Sequence, residues 1–131
     1  MASLSPVERQ VLVERHLASK ELIDRTDGML LLSRDETISI MVGEEDHLRI
    51  QCLLPGLRLE EADNLSRSVD AMLSADGYAF DPELGYLTAC PTNVGTGMRA
   101  SVMLHLPAMV ATGSIESLIE TVGKFGYTLR G

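Results

Sequence analysis

One short stretch of the sequence concentrates chemically reactive side chains. Residues 44–49 read EEDHLR and supply three carboxylates, an imidazole and a guanidinium. Carboxylates hold cationic groups and accept protons, whereas an arginine binds phosphate oxygens through parallel hydrogen bonds. The alternative is the solvated outer face of a half-buried sheet, which the usual alternation of apolar and polar residues also produces. Both interpretations place these charges beside a strand, because the apolar segment IQCLL follows directly.

The strand predicted over residues 46–53 divides its side chains between two faces, because successive residues of a strand point to opposite sides. The apolar set is predicted to face the core and comprises Leu48, Ile50 and Cys52. The polar set is predicted to face away and comprises Glu45, His47, Arg49 and Gln51.

A second strand with the same alternation is predicted for MRASVMLHLP, residues 98–107. Its apolar face comprises Ala100, Val102, Leu104 and Leu106, and its other face comprises Arg99, Ser101, Met103 and His105. We predict that Arg49 and Arg99 lie on neighbouring strands with their side chains on one sheet face. Paired guanidinium groups on a rigid sheet suit phosphate oxygens, although surface arginines paired with acids would give the same pattern.

The segment CPTNVGTG, residues 90–97, precedes that second strand. Pro91 biases Cys90 towards an extended conformation, and the Thr92 hydroxyl is placed to favour a thiolate. Gly95 and Gly97 permit a tight backbone path beside a ligand. A buried, inert cysteine before an ordinary turn is the alternative.

Together, EEDHLRI and CPTNVGTGMRASVMLHLP resemble the ATP:guanidino phosphotransferases, the family of arginine kinase and creatine kinase. Within that family the chain is most similar to the bacterial protein-arginine kinases, through LSPVERQVLVERHL, IQCLLPGL and RASVMLHLPA. Small-guanidine kinases typically carry a histidine near the adenine where this chain has Met103. The resemblance implies ATP-dependent phosphorylation of arginine side chains in proteins.

The resemblance also implies a role for each matching residue. Glu45 corresponds to the catalytic carboxylate that contacts the guanidinium and acts as a base, and Cys90 to the reactive thiolate beside it. Glu44 and Asp46 correspond to acids that orient groups around Mg²⁺. The residues implied in ATP binding are Arg49, Arg99, His47, Met103, Thr96 and Gly97.

The chain departs from the family in several respects. Members are longer, and an N-terminal helical domain, an upstream arginine-bearing strand and a C-terminal loop with a second catalytic glutamate are expected to be absent here. Gly43 stands where an asparagine is usual. We therefore expect residues 1–131 to form a single, partial catalytic domain with little activity by itself. A non-catalytic remnant that binds nucleotide, phosphoarginine or a protein partner is the main alternative, and a purely structural module is another.

The helices and strands that must position these residues are predicted from the spacing of apolar residues and from capping and turn residues. Helices are predicted after the capping residues Ser5 and Ser114, and over residues 59–76, where apolar residues recur at helical spacing. Apolar runs at residues 29–34, 37–42 and 46–53 predict an antiparallel meander. Shorter strands are predicted in YAF, YLTAC and the terminal YTLRG. The predicted fold class is α+β, an antiparallel sheet flanked by helices.

Composition restricts the partners. With 131 residues and 45% hydrophobic residues, the chain can bury a core. A net charge of −8 without a basic stretch argues against nucleic acid, and no apolar run approaches membrane-spanning length or resembles a signal peptide. The expected ligands are ATP, Mg²⁺ and arginine-containing proteins. Isolated cysteines indicate a reducing, cytoplasmic setting, and an exposed sheet edge invites a homodimer.

Overall fold

The computed structural model describes residues 1–129. The chain forms two compact units, Met1–Ser101 and Val102–Gly131. The elements of the first unit are α1 (Pro6–Glu14), α2 (Lys20–Ile23), β1 (Met29–Leu32), β2 (Ile38–Val42), β3 (Leu48–Cys52), α3 (Leu59–Leu73), β4 (Phe80–Asp81) and β5 (Gly85–Tyr86). Those of the second unit are α4 (Pro107–Ala111) and α5 (Ile115–Lys124). The α+β class is confirmed. Within residues 1–129, no helix is long and apolar enough to cross a membrane.

The first helix begins where the sequence predicts. The Ser5 hydroxyl accepts a hydrogen bond from the Glu8 backbone N–H at 3.3 Å, and the Ser5 N–H donates to Glu8 Oε2 at 2.8 Å. This reciprocal pair satisfies donors that a helix start leaves without an intrahelical partner. Pro6 occupies the first helical position, where its missing N–H costs nothing.

The three longer strands form the predicted antiparallel meander in the order β1-β2-β3. Met41 is paired with Leu30 on one side and with Arg49 on the other. Residues directly opposite each other on antiparallel strands have side chains on the same face. Leu30, Met41 and Arg49 therefore share one face of the sheet.

The tightest packing lies on this Met41 face. Met41 is 1% exposed and Leu22 of α2 is 0% exposed, and both belong to one apolar cluster with Ala18. Burial of apolar surface of this kind is the main stabilising contribution to folding. The α1–α2 segment therefore covers the sheet on the side that carries Met41.

Polar side chains on the same face fasten the α1–α2 connection to the sheet. Ser39, 1% exposed, donates from its hydroxyl to the Leu17 carbonyl at 2.6 Å. Gln51 lies opposite Ser39 in the register and donates from Nε2 to the His16 carbonyl at 2.6 Å. His16 has a φ of 58°. Adjacent strands thus hold a turn whose backbone conformation is unfavourable for most residues.

The predicted facing of β3 is wrong. Arg49 and Gln51 lie on the face that carries the buried Met41, whereas Leu48, on the opposite face, is 39% exposed. The alternation rule assumes one covered and one solvated face. Here α1 and α2 cover the Met41 face and α3 also packs against β3. Apolar and polar positions therefore do not separate into an inside and an outside.

The predicted strand over residues 98–107 is also wrong. Within the described part of the chain, residues 98–106 belong to no strand, and Met98, Met103 and Leu104 are 57%, 67% and 66% exposed. Alternating side chains make a stretch suitable for a sheet, but a strand forms only where a neighbour completes the hydrogen-bond ladder. The terminal strand is likewise not observed over residues 127–129, and residues 130–131 lie outside the described residues.

The short hairpin of β4 and β5 supports the segment that follows Cys90. Tyr86 N–H donates to the Gly95 carbonyl at 2.8 Å, and Gly95 N–H donates back to Tyr86 at 3.2 Å. Gly85 has a φ of 86°, and a Cβ there would lie 2.4 Å from the Gly95 carbonyl oxygen. Residue 85 therefore requires glycine both for its backbone conformation and for this close approach.

We expect Gly85→Ala to destabilise the fold by about 1–3 kcal/mol, because it combines backbone strain with overlap against Gly95. Gly77→Ala is the matched control, since Gly77 has a φ of 78° but open space around its Cβ position. Urea unfolding measures the loss in free energy of unfolding for both variants. The difference between the two losses gives the cost of the overlap with Gly95, because the backbone strain is common to both. A loss for Gly85→Ala no larger than that for Gly77→Ala would contradict the close approach.

Candidate active site

The acidic cluster lies in the loop between β2 and β3, not on a strand as the sequence pattern predicts. The Gly43 N–H donates to the His47 carbonyl at 3.0 Å and closes this loop, and β3 begins only at Leu48. Gly43 has a φ of 68°. Asparagine is among the few non-glycine residues that adopt this conformation readily, so glycine at position 43 preserves the backbone geometry that the family's asparagine would permit.

Glu44 is the buried member of the cluster. Its side chain is 4% exposed and accepts from Arg49 Nη1 at 3.0 Å through Oε1. Its other carboxylate oxygen accepts from the Glu45 N–H at 3.2 Å. Burial acts to raise the pKa of Glu44, but hydrogen bonds from Ser19 and the Glu45 N–H, together with Arg49, outweigh it and lower that pKa. Glu44 is therefore a buried anion held in place by its partners.

Arg49 extends from this buried carboxylate towards solvent. Its side chain is 45% exposed while Nη1 is bonded to Glu44. A guanidinium carries five N–H donors in a planar fork, so contact through one nitrogen leaves donors for an anion. Glu44 fixes the direction of the arginine, which suits it to bind phosphate oxygens.

Asp46 connects the acidic loop to the Cys90 segment. Its Oδ1 accepts from the Cys90 backbone N–H at 2.9 Å, and its Oδ2 accepts from Asn93 Nδ2 at 2.8 Å. Burial acts to raise the pKa of Asp46, but these hydrogen bonds lower it below the ordinary value of 3.8. A lowered pKa favours the ionised form, so the contribution of Asp46 to stability is present above that ordinary value and is lost as the pH falls through the folded-state pKa.

Asn93 also reaches the carboxylate predicted to be catalytic. Its Nδ2 lies 3.3 Å from Glu45 Oε2, and Glu45 is exposed. Sequence reasoning assigned no role to Asn93, although it lies within the CPTNVGTG motif. The available signal was that the Asn side chain offers two N–H donors, which suit a neighbouring pair of carboxylates.

The Cys90 thiol lies in the short 3₁₀ turn region that begins at Pro91. Its Sγ is 3.0 Å from Thr92 Oγ1, as the motif predicts, and the Thr88 hydroxyl donates to the Cys90 carbonyl at 2.6 Å. The thiol is half-buried. Its position is therefore set by hydrogen bonds on both sides along the chain and by Asp46 from the hairpin.

An open cleft of about 230 Å³ lies over the acidic loop. It is lined by Arg25, Gly43, Glu44, Glu45, Asp46, His47 and Ala89. Arg25 approaches from the end of the α2 region and forms a paired contact with Asp27 through Nε and Nη2. The cleft thus brings the exposed Glu45 and His47 beside a cationic side chain that sequence reasoning did not include.

Three other residues of the first unit predicted to bind ATP, Thr96, Gly97 and Arg99, are not among the residues that line this cleft. Arg99 is exposed and outside any described strand, so the structure does not provide the predicted pairing of its strand with that of Arg49. Met103 belongs to the second unit. Thr96 Oγ1 accepts from the Met98 N–H at 3.3 Å, and Gly97 lies beside the Tyr86 ring. The ATP-binding roles of these residues stay predictions.

The described residues 1–129 bring together no group of three histidine, cysteine or acidic side chains suited to hold a metal ion. Both Glu44 and Asp46 use their carboxylate oxygens on protein donors. Mg²⁺ is commonly held by substrate phosphates with only one or two carboxylates and water.

The acidic loop and the cysteine turn, the two motifs that carry the family resemblance, lie side by side in the structure. The chain belongs to the ATP:guanido phosphotransferases: the model of their C-terminal catalytic domain matches residues 1–131. It is 56% identical to a protein-arginine kinase of Desulforamulus reducens over 133 residues, which cover 100% of this chain and 37% of that protein. It is 51% identical to one of Caldanaerobacter subterraneus subsp. tengcongensis, with 100% and 40% covered, and 54% identical to one of Geobacillus sp., with 100% and 37% covered. The chain thus spans about two fifths of the length of these relatives, and the predicted family is confirmed.

We expect Cys90 to be alkylated faster than Cys52 at neutral pH. Burial raises the pKa of Cys52, so its reactive thiolate is scarcer at every pH below that pKa. Both thiols are half-buried, so exposure alone does not order their reactivity. Timed alkylation followed by peptide mass spectrometry measures both rates in one molecule, with urea-unfolded protein as the control. Equal rates in the folded protein, or faster labelling of Cys52, would contradict this expectation.

Proposed function

We propose that this chain is the core of a protein-arginine kinase catalytic domain, which transfers the γ-phosphoryl group of ATP to arginine side chains in proteins. The observation that carries the proposal is the contact of Asn93 with both Glu45 and Asp46. It brings the acidic motif and the cysteine motif, which are 47 residues apart in sequence at Asp46 and Asn93, into one site. The names of the matched relatives support the same activity.

Glu45 is proposed to hold the substrate guanidinium and accept its proton. It is exposed at the open cleft, whereas Glu44 and Asp46 are engaged by the protein. A guanidinium nitrogen attacks the γ-phosphorus and forms a P–N bond, while the P–O bond to ADP breaks and its electron pair stays on ADP. The proton of the attacking nitrogen passes to Glu45. A carboxylate is suited to this because it pairs with the planar guanidinium and accepts a proton as its charge is lost.

Arg49 is proposed to bind phosphate oxygens of ATP. Its anchoring by Glu44 reduces the conformational freedom lost on binding. Mg²⁺ is proposed to accompany the nucleotide and to offset phosphate charge. Cys90 is proposed to lie beside the guanidinium, and Arg99, His47, Met103, Thr96 and Gly97 to contact ATP.

We further propose that residues 1–131 all belong to the catalytic domain and that the protein acts in the cytoplasm, where ATP is available.

The test combines nucleotide titration with a phosphoarginine assay. Calorimetric titration with MgATP measures binding, and incubation of concentrated protein with MgATP and an arginine-rich protein measures transfer by intact mass. The P–N bond of phosphoarginine is acid-labile, so loss of the added mass in acid identifies it. Binding with acid-labile transfer supports the kinase. Binding without transfer favours a nucleotide-binding remnant. If neither binding nor transfer is observed, the proposal is rejected for this chain.

The edge strand β1 supports a further proposal about assembly. Met29 and Leu31, which share one face of β1, are 56% and 53% exposed. An open strand edge with apolar side chains is a template for pairing with another strand. We propose a homodimer through this edge, and a sedimentation experiment that finds only monomer at high concentration would reject it.

A further inference from the structure

The strongest connection between the acidic loop and the Cys90 turn is a single carboxylate. Asp46 accepts from the Cys90 N–H at 2.9 Å through Oδ1 and from Asn93 Nδ2 at 2.8 Å through Oδ2. These partners are 44 and 47 positions away in sequence. Each oxygen therefore holds a different point of the same short turn, which restricts rotation of the turn as well as its distance from the hairpin.

The geometry of the turn transmits this restraint to the thiol. Cys90 donates its backbone N–H to Asp46, and its Sγ lies 3.0 Å from Thr92 Oγ1 within the same turn. The distal end of the segment is fixed independently by the paired hydrogen bonds of Tyr86 with Gly95. Loss of the Asp46 contacts would release the cysteine end of the segment while the other end stays attached.

We infer that Asp46 is a positioning residue for the Cys90 thiol, with Asn93 as its hydrogen-bond partner. The inference rests on the proposed function in that Glu45 and Cys90 flank one guanidinium. It assigns Asp46 a role through protein contacts, in addition to the orientation of groups around Mg²⁺ that the family resemblance implies. Asn93 joins the same unit because its amide donates to Asp46 and to Glu45.

The test compares alkylation rates of Cys90 and Cys52 across pH in the free protein. In Asp46→Asn the side chain keeps only one acceptor oxygen, so it can no longer accept from both the Cys90 N–H and the Asn93 amide through separate oxygens. We expect the ratio of the Cys90 rate to the Cys52 rate to rise about two- to tenfold, the range that loss of one hydrogen bond produces, and the pH midpoint of Cys90 labelling to fall. Asp24→Asn removes an equal charge from an exposed position and serves as the control.

A double replacement distinguishes a direct contact from a general disturbance. Asp46→Asn combined with Asn93→Asp keeps the total charge and allows the hydrogen bond between positions 46 and 93 to re-form, whereas the contact of residue 93 with Glu45 is lost. We expect the labelling ratio to return part of the way to that of the unaltered protein. An unchanged ratio and midpoint in Asp46→Asn, or a double variant that stays like Asp46→Asn, would overturn the inference.

Loss of the fold would show itself in the same experiment, because Cys52 would then label as in urea. In that case Asn93→Ala is used instead, because it removes the hydrogen bond to Asp46 and adds no new donor. The ratio of the Cys90 rate to the Cys52 rate in this variant then tests the inference. The labelling needs neither ATP nor substrate. A protein that neither binds MgATP nor transfers phosphate but shows the expected ratios would therefore reject the proposed function and keep the positioning role of Asp46.

Discussion

We expect Glu45→Gln to reduce phosphoarginine formation by at least about 100-fold, the lower end of the effect of removing a positioned general base. Glutamine keeps the shape of the side chain but carries no negative charge to pair with a guanidinium and accepts no proton at neutral pH. Affinity for MgATP is expected to change little, because Arg49, held by Glu44, is unaltered. The measurement is acid-labile mass added to an arginine-rich protein, with nucleotide affinity determined in parallel.

Glu60→Gln is the matched control for this result. Glu60 is an exposed carboxylate in the first turn of α3 and is not among the residues that line the cleft. Its replacement removes the same charge and is expected to leave transfer unchanged. If Glu45→Gln retained more than about a tenth of the transfer rate, the carboxylate would not be acting as the base of the reaction.

We expect Leu22→Ala to remove a substantial part of the stability of the first unit. Leu22 is 0% exposed and packs in the cluster with Ala18 and Met41. Truncation of a buried leucine to alanine costs about 2–5 kcal/mol, against a typical total of about 5–15 kcal/mol for a domain. The cavity would lie directly under the strand that leads into the acidic loop. Urea unfolding followed by circular dichroism measures the loss.

Leu57→Ala provides the comparison, since Leu57 is 79% exposed. It deletes the same atoms from a side chain that is mostly exposed to solvent. The free energy of unfolding is therefore expected to change by no more than about 0.5 kcal/mol. The effect of Leu22→Ala should also reach the site, because Ser19, which caps α2, is a hydrogen-bonding partner of Glu44. Equal stability losses in the two variants would show that Leu22 is not part of the core.

The local signals of the sequence predicted the elements that depend on nearby residues. The capping box of Ser5 and Glu8 starts α1, and the meander of β1 to β3 follows its apolar runs and turns. These features form from contacts between residues close in the chain or in adjacent hairpins. The Cys90–Thr92 contact was predicted for the same reason, since the two residues are neighbours in one turn.

Features that depend on long-range contacts were predicted less well. The predicted facing of Arg49 was wrong because α1 and α2 cover the face that carries Met41. The alternation of residues within β3 contains no information about that covering. The strand over residues 98–107 was wrong because alternation does not supply a neighbouring strand. Asn93 was missed because its partners Glu45 and Asp46 lie far away in sequence. The family resemblance found the acidic and cysteine motifs but not the hydrogen bonds that join them.

The pairing of Met41 with Arg49 limits which insertions and deletions the hairpin can accommodate. Side chains on a strand alternate with a period of two, so adding one residue to β3 before Arg49 would turn the guanidinium to the opposite face. Its bond with the buried Glu44 would then be broken, and a negative charge would remain inside without its partner. Two added residues would restore the facing but move the arginine farther from the loop. A length change that most hairpins absorb at little cost would therefore displace the arginine that we propose binds phosphate and would also leave a buried carboxylate without its partner.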